Sequence, residues 1–266
     1  MCRMFELRGT RAVVTGASQG IGQTAALALA RAGADVATIY KWGGDDAAAA
    51  EAAIRERGRR TIFVEGDTGD RTQVEAFADR VIREWGGVDI WINNAARLLV
   101  KPFLELTDED WHGLLAANLH GYFYGCQIAA RGMVEQGTGG CIVNVGSIVD
   151  VQPAAGLSAY TTAKGAVSGL TRAMAIELGS YGITVNTVAP GPTDTPLNTT
   201  AYTDEVRANY NARISLGRIA QPEEVADVIL FLCSTGARYM TGEFVLVDGG
   251  LAINGNVGHA AGASSG

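Results

Sequence analysis

The 266-residue sequence has little charge, with 18% Asp, Glu, Lys and Arg, and what it has is biased to the acid side, for a net charge of −7. No run of lysines or arginines occurs, so the surface repels a phosphate backbone and nucleic acid is not expected as a partner. No apolar run reaches the ~18 residues needed to span a bilayer, and the first residues carry no long apolar stretch of a secretory signal, so no membrane association and a cytoplasmic location are expected. Of the four cysteines, Cys2, Cys126, Cys141 and Cys233, no two form a Cys-x-x-Cys. His112, His120 and His259 are isolated from them and from one another. Neither a disulfide framework nor a zinc site follows from such spacing, so no metal is expected.

What the chain does have is 47% hydrophobic residues and 35 glycines. Short β-branched runs alternate with alanine-rich segments of helical spacing. Strands are expected at Ala12–Thr15, Asp35–Tyr40, Thr61–Glu65, Val88–Ile92, Gly140–Val145, Thr184–Ala189 and Glu243–Val247. Helices are expected at Gly22–Ala32, Ala47–Arg57, Arg71–Trp85, Asp108–Gln136, Ser158–Tyr181 and Pro222–Ser234. Parallel strands need crossover helices, and strands covered on both faces read as nearly continuous apolar runs. The expected fold is therefore α/β, a Rossmann-type doubly wound parallel sheet of about seven strands with helices on both faces. It forms a single domain over 1–254, followed by a flexible tail over 255–266 that is rich in Gly, Ala and Ser.

Between the first strand and first helix lies Thr15-Gly16-Ala17-Ser18-Gln19-Gly20-Ile21-Gly22. Glycines there permit a sharp turn and a close approach of pyrophosphate, and the following helix offers unpaired N–H groups. Gly16, Ser18, Gln19, Gly20 and Ile21 are thus candidate cofactor contacts. The spacing is not the general Gly-x-Gly-x-x-Gly fingerprint, and no Lys-Ser/Thr closes it as in a P-loop. The second strand ends in Tyr40-Lys41, where an acid would select NAD and a cation would welcome the 2′-phosphate of NADP. NADP is accordingly expected, with NAD possible. Asp35 comes too early on the strand to reach the ribose, whereas Asp45 and Asp46, in an expected loop, are the competitors of this reading. Asp67, at the end of the third strand with Thr68 beside it, could accept a bond from the adenine amine. Asn93-Asn94-Ala95-Ala96 ends the fourth strand on the same side, where Asn94 and Ala95 are candidate contacts.

Tyr160 and Lys164 stand four apart on one helix and share a face. Ser147 follows the fifth strand and Asn118 lies within the long fourth helix. Tyr-x-x-x-Lys alone is common. Together with the glycine loop, and in this order, these residues resemble the short-chain dehydrogenase/reductase family over about residues 7–254. The matching segments are Thr15–Gly22, Asn93–Ala96, Asn118, Ser147, Tyr160–Lys164, and Pro190-Gly191 with Thr195. Ala96 stands where the family usually has glycine, and Gln19 where many NADP-preferring members carry a basic residue.

The resemblance implies hydride transfer between NADP(H) and a small alcohol or carbonyl compound. It casts Tyr160 as proton donor and acceptor, with Ser147 on the substrate oxygen. Lys164 would favour the phenolate and hold the nicotinamide ribose, and Asn118 would kink its helix and anchor a relay water. Pro190 and Gly191 would join the cofactor site, and Thr193 and Thr195 would fix the carboxamide. A free tyrosine pKa of about 10 must fall by ~3 units, or ~4 kcal/mol, for work near neutrality. The resemblance also implies a homotetramer and a substrate lid at 193–216. That lid is polar, with Asn198, Thr199, Thr200, Tyr202, Asp204, Asn209, Tyr210, Asn211 and Arg213. A polar lid suits a sugar or polyol, and Asn118–Gly121 and Arg218–Gly250 look like those of bacterial aldose dehydrogenases. They also resemble 3-oxoacyl-carrier-protein reductases, but Tyr181 stands where a second surface arginine beside Arg131 would be expected. A non-catalytic nucleotide-sensing protein on this fold would have no need of Tyr160 and Lys164.

Overall fold

A computed structural model describes residues 5–199 and 201–254; the expected tail at 255–266, Cys2, Thr200 and His259 lie outside the described residues. Seven strands, β1 (Arg11–Val14), β2 (Asp35–Tyr40), β3 (Thr61–Glu65), β4 (Ile90–Asn93), β5 (Gly140–Val145), β6 (Ile183–Pro190) and β7 (Phe244–Val247), form one parallel sheet. Its order is β3-β2-β1-β4-β5-β6-β7. The order reverses beside β1, so the chain leaves β1 and β4 in opposite directions and opens a crevice at their C-terminal ends.

One face of the sheet is covered by α1 (Gly20–Ala32) and α8 (Pro222–Leu232), through Ala25, Leu29, Val225 and Ile229. The other carries α3 (Arg71–Trp85), α5 (Gly121–Gln136) and α6 (Ser158–Leu178), through Phe77, Val81, Met133 and Ala175. β-Branched residues buried from both sides, such as Val13, Val14, Ile92 and Val143, explain why these strands read as unbroken apolar runs. Among the described residues no helix is long and apolar enough to cross a membrane. None of their His, Cys, Asp and Glu gather in threes at a metal-holding distance.

Three departures from the expected elements have physical causes. α2 spans Gly44–Glu56. Asp45 and Asp46 therefore lie in its first turn rather than in a loop, where the helix dipole favours carboxylates. The expected helix Asp108–Gln136 is broken into α4 (Asp108–Leu115), a π-turn at Ala116–His120, and α5. At the break the Gly121 N–H bonds the Ala116 carbonyl, five residues back. The lid contains a further helix, α7 (Asp204–Arg213), capped by the Thr203 hydroxyl on the Val206 N–H. Its sequence is too polar to show a wide apolar stripe.

Candidate active site

The candidate residues all come off the C-terminal edge of the sheet. After β1 the chain turns at Gly16, with φ of +68°, where a Cβ would come within 2.8 Å of Ala95 Cα. At Gly22 an added Cβ would meet the Asn94 amide and the Gly16 carbonyl. The Asn94 side chain donates to the carbonyls of Thr15 at 3.0 Å and Gly16 at 3.2 Å. The Thr15 hydroxyl accepts the N–H groups of Asn94 and Ala95 in return. The Asn94 side chain thus holds the glycine loop, where the sequence reading has it contacting the cofactor.

A cleft of about 440 Å³ opens over this loop. Its wall includes Gly16, Ser18, Gln19, Gly20 and Ile21 from the loop, Tyr40 at the end of β2 with Lys41 after it, and Asp67 and Thr68 after β3. Asn94 and Ala95 after β4, and Thr195 after β6, complete the expected members. A dinucleotide fits such a wall. Gln19 caps α1 without any side-chain hydrogen bond, so the first-turn N–H groups have no capping oxygen and face the loop. Pro190, Gly191 and Thr193 are not in the wall. Gly191 bonds the Val247 carbonyl through its N–H, and the buried Thr193 turns its hydroxyl back to the Gly191 carbonyl at 3.0 Å.

Two expected adenosine contacts are paired with each other. Lys41 Nζ lies 2.5 Å from Asp67 Oδ2 at the half-exposed rim. Burial works to raise the Asp67 carboxyl, but the Lys41 ammonium and the Gly69 N–H outweigh it and hold it below the usual range. Among the wall residues that sequence reading did not name are Trp42 and Arg97. Lys41 Nζ sits 5.2 Å from the centre of the Trp42 ring.

Ser147, Tyr160, Lys164 and Asn118 are all buried. Ser147 follows β5; burial pushes the Tyr160 phenol up to about 12, against a smaller downward pull from the Ser147 hydroxyl. Lys164 lies one turn along α6 and is brought down by burial to about 7. Its ammonium does not bond Tyr160. It donates to the Val145 carbonyl at 2.7 Å and to the Tyr122 hydroxyl at 2.9 Å. With no hydrogen bond between the two side chains, desolvation dominates both groups. Asn118 stands in the π-turn, and both polar atoms of its side chain bond the Arg97 backbone at 2.7 Å.

Tyr122, four residues after Asn118, is the missed residue at the centre of the site. The helical i, i+4 spacing is the signal that could have found it. Tyr202, expected only as one of the polar lid residues, is turned inward. With Val206, Tyr210 and Ile214 it repeats every fourth position along the lid, on the side turned from solvent. Tyr202 and Tyr210 pack against the apolar cluster around Tyr160, Ile148 and Val149, their rings 5.4 Å apart. Asp204, Asn209, Asn211 and Arg213 face outward, so the polar composition of the lid is mostly its solvent side.

The comparisons agree with this architecture. A family model described as enoyl-(acyl carrier protein) reductase matches residues 16–252. The chain is 39% identical over 249 residues to L-rhamnose 1-dehydrogenase (NAD(P)(+)) of a Sphingomonas species, covering 93% of this chain and 98% of that one. A putative short-chain alcohol dehydrogenase from Sinorhizobium meliloti superposes with a TM-score of 0.90 at 34% identity, covering 94% of this chain and 99% of that one. A short-chain dehydrogenase from Burkholderia cenocepacia in complex with NADP gives 0.87 at 36% identity, covering 92% and 99%.

Proposed function

Because the chain belongs to the short-chain dehydrogenase/reductase family and is an oxidoreductase acting on CH–OH groups, we propose that it moves a hydride between NADP(H) and a small sugar or polyol. The observation that carries this reading is the buried Ser147–Tyr160–Lys164 group on the same sheet edge as the glycine-loop cleft. The likeness to a rhamnose dehydrogenase and to an NADP-bound structure supports it.

When bound, the nicotinamide supplies the carbon that gives or takes the hydride. The protein does the rest. The α1 N-terminus and the glycine loop would hold the pyrophosphate, and Thr68 and Ala95 the adenosine half. Pro190, Gly191 and Thr193 support the strand end behind Thr195, which would hold the carboxamide. The Ser147 hydroxyl acts directly on the Tyr160 phenol, so a substrate oxygen entering between them meets both hydroxyls. Tyr160 exchanges the proton of that oxygen, and Ser147 holds the oxygen in line. Removing the Tyr160 proton near neutrality requires a cation brought against the phenol, and Lys164, one turn away, is placed to supply it.

One domain over 1–254 performs this work, with 193–216 as its lid. A second reading, reduction of a ketone or oxoacyl group, is favoured by the inward lid face of Tyr202, Val206 and Tyr210, which offers carbon surface as well as hydroxyls. A panel of sugars, polyols, ketones and a 3-oxoacyl thioester, assayed with both cofactors, tests both readings. Turnover of sugars or polyols alone supports the first and of ketones alone the second. Absence of any turnover despite cofactor binding would favour a nucleotide-sensing role.

A further inference from the structure

The Tyr122 hydroxyl stands where the position of Lys164 is decided. Tyr122 comes from the first turn of α5, directly after the π-turn, and is 1% exposed. Its hydroxyl donates to the Val145 carbonyl at 2.9 Å and accepts from Lys164 Nζ at 2.9 Å. Lys164 Nζ reaches the same Val145 carbonyl at 2.7 Å, which closes a triangle of hydrogen bonds at the end of β5. The ammonium also lies 4.5 Å from the centre of the Tyr122 ring, against 5.7 Å for the Tyr160 ring.

An ammonium has three N–H donors. Two are taken by Val145 and Tyr122, which leaves one to turn toward the reacting groups. We propose that Tyr122 is a positioning residue of the reaction, whose hydroxyl fixes the Lys164 ammonium against Val145 and so sets how strongly it acts on Tyr160. The proposal rests on the assignment of Tyr160 and Lys164 made above.

The physical case has three parts. The hydroxyl accepts a bond that only the charged lysine makes well, so it favours the ammonium inside an otherwise costly site. The ring face adds a cation–π attraction. The triangle also restricts a long side chain that would otherwise have several rotamers to lose. Burial, with Tyr160 and Cys126 nearby, pushes the Tyr122 hydroxyl well above the ordinary tyrosine range, so it serves as a neutral partner and not as a proton carrier. The titratable groups around Lys164 are Tyr122 of α5 with Cys126 behind it, Tyr160 of its own helix, and Asp150, whose carboxylate lies against Gly165.

Tyr122→Phe keeps the ring and removes the acceptor. The ammonium is then less favoured and Tyr160 harder to ionise, so the rising limb of kcat/KM against pH, for oxidation of the fastest sugar or polyol, should move upward by about half a unit or more. At neutral pH kcat should fall about ten-fold, while the Kd for NADP changes by less than about three-fold. In a Lys164→Met background the same substitution should change the residual rate by less than about two-fold, because its effect passes through Lys164. If Tyr122→Phe does not fold, Tyr122→Leu is read in the same way, and failure of both to fold makes Tyr122 a core residue only and ends the proposal. It is also overturned by an unchanged pH profile with kcat within two-fold of wild type, or by equal losses with and without Lys164. Retained turnover in Tyr160→Phe would instead point to failure of the underlying assignment.

Discussion

Lys41 Nζ is 2.5 Å from Asp67 Oδ2, so the cation expected to meet a 2′-phosphate already has a carboxylate partner. Binding a phosphate there means sharing or breaking that pair. Both side chains are substantially exposed, where such a pair contributes little to stability.

Cofactor preference tests this relationship. A charge-assisted contact is worth roughly 1.5–3 kcal/mol, or about one to two orders of magnitude. NADP should exceed NAD in kcat/KM by about ten-fold or more. Asp67→Asn, which frees Lys41, should raise that ratio, and Tyr40→Asp with Lys41→Ala should swing it toward NAD. Measurement is of kcat/KM for both cofactors with one fixed alcohol. An unchanged ratio in the double variant makes Lys41 a bystander.

Tyr160→Phe should abolish turnover and leave NADP binding nearly intact, since only the oxygen that exchanges the proton is removed. A kcat above a tenth of wild type would falsify the role. Lys164→Ala should lower both kcat and NADP affinity, which separates it from Tyr160.

Lys164 also predicts a dependence of stability on pH. Its pKa in the folded chain is about 7, against 10.5 for an exposed lysine, and burial is the cause. Between these values the unfolded chain binds more protons, so stability rises as pH rises from about 7 toward 10.5, and below 7 the full penalty is present. That full penalty is on the order of 5 kcal/mol. Lys164→Met should therefore raise Tm at pH 7, and the gain over wild type should shrink by pH 10. Equal gains at both values would show that the lysine is not desolvated in solution.

The expected homotetramer can be tested by light scattering. Phe123 of α5, Ile176 of α6 and Leu246 of β7 are exposed apolar residues on the elements that the family resemblance assigns to subunit contacts. At micromolar concentration the mass should be near four times 27.8 kDa, and Phe123→Glu with Ile176→Glu should lower it. A mass of one chain in the unsubstituted protein refutes the assembly.

The sheet was legible because its information is local. Strands such as Asp35–Tyr40, Thr61–Glu65 and Gly140–Val145 fall where their β-branched runs begin and end, and glycines mark the helix stops at Gly33 and Gly86. The glycine loop and the Tyr160–Lys164 pair were legible for the same reason, since one turn and one helical repeat define them. Even Tyr122 stood at a helical spacing from Asn118.

What the chain alone could not show was which partner each polar group would take. Lys41 and Asp67 are 26 residues apart and meet only because β2 and β3 lie side by side. Lys164 and Tyr122 are 42 apart and meet through the packing of α5 and α6 beside β5. The π-turn at Asn118 and the inward stripe of the lid are likewise set by tertiary contacts. Helical and strand periodicity follows from repeats a few residues long, so sequence determines it. The partner of a buried cation depends on desolvation and on which acceptors the folded chain brings within 3 Å, and only the tertiary structure decides that.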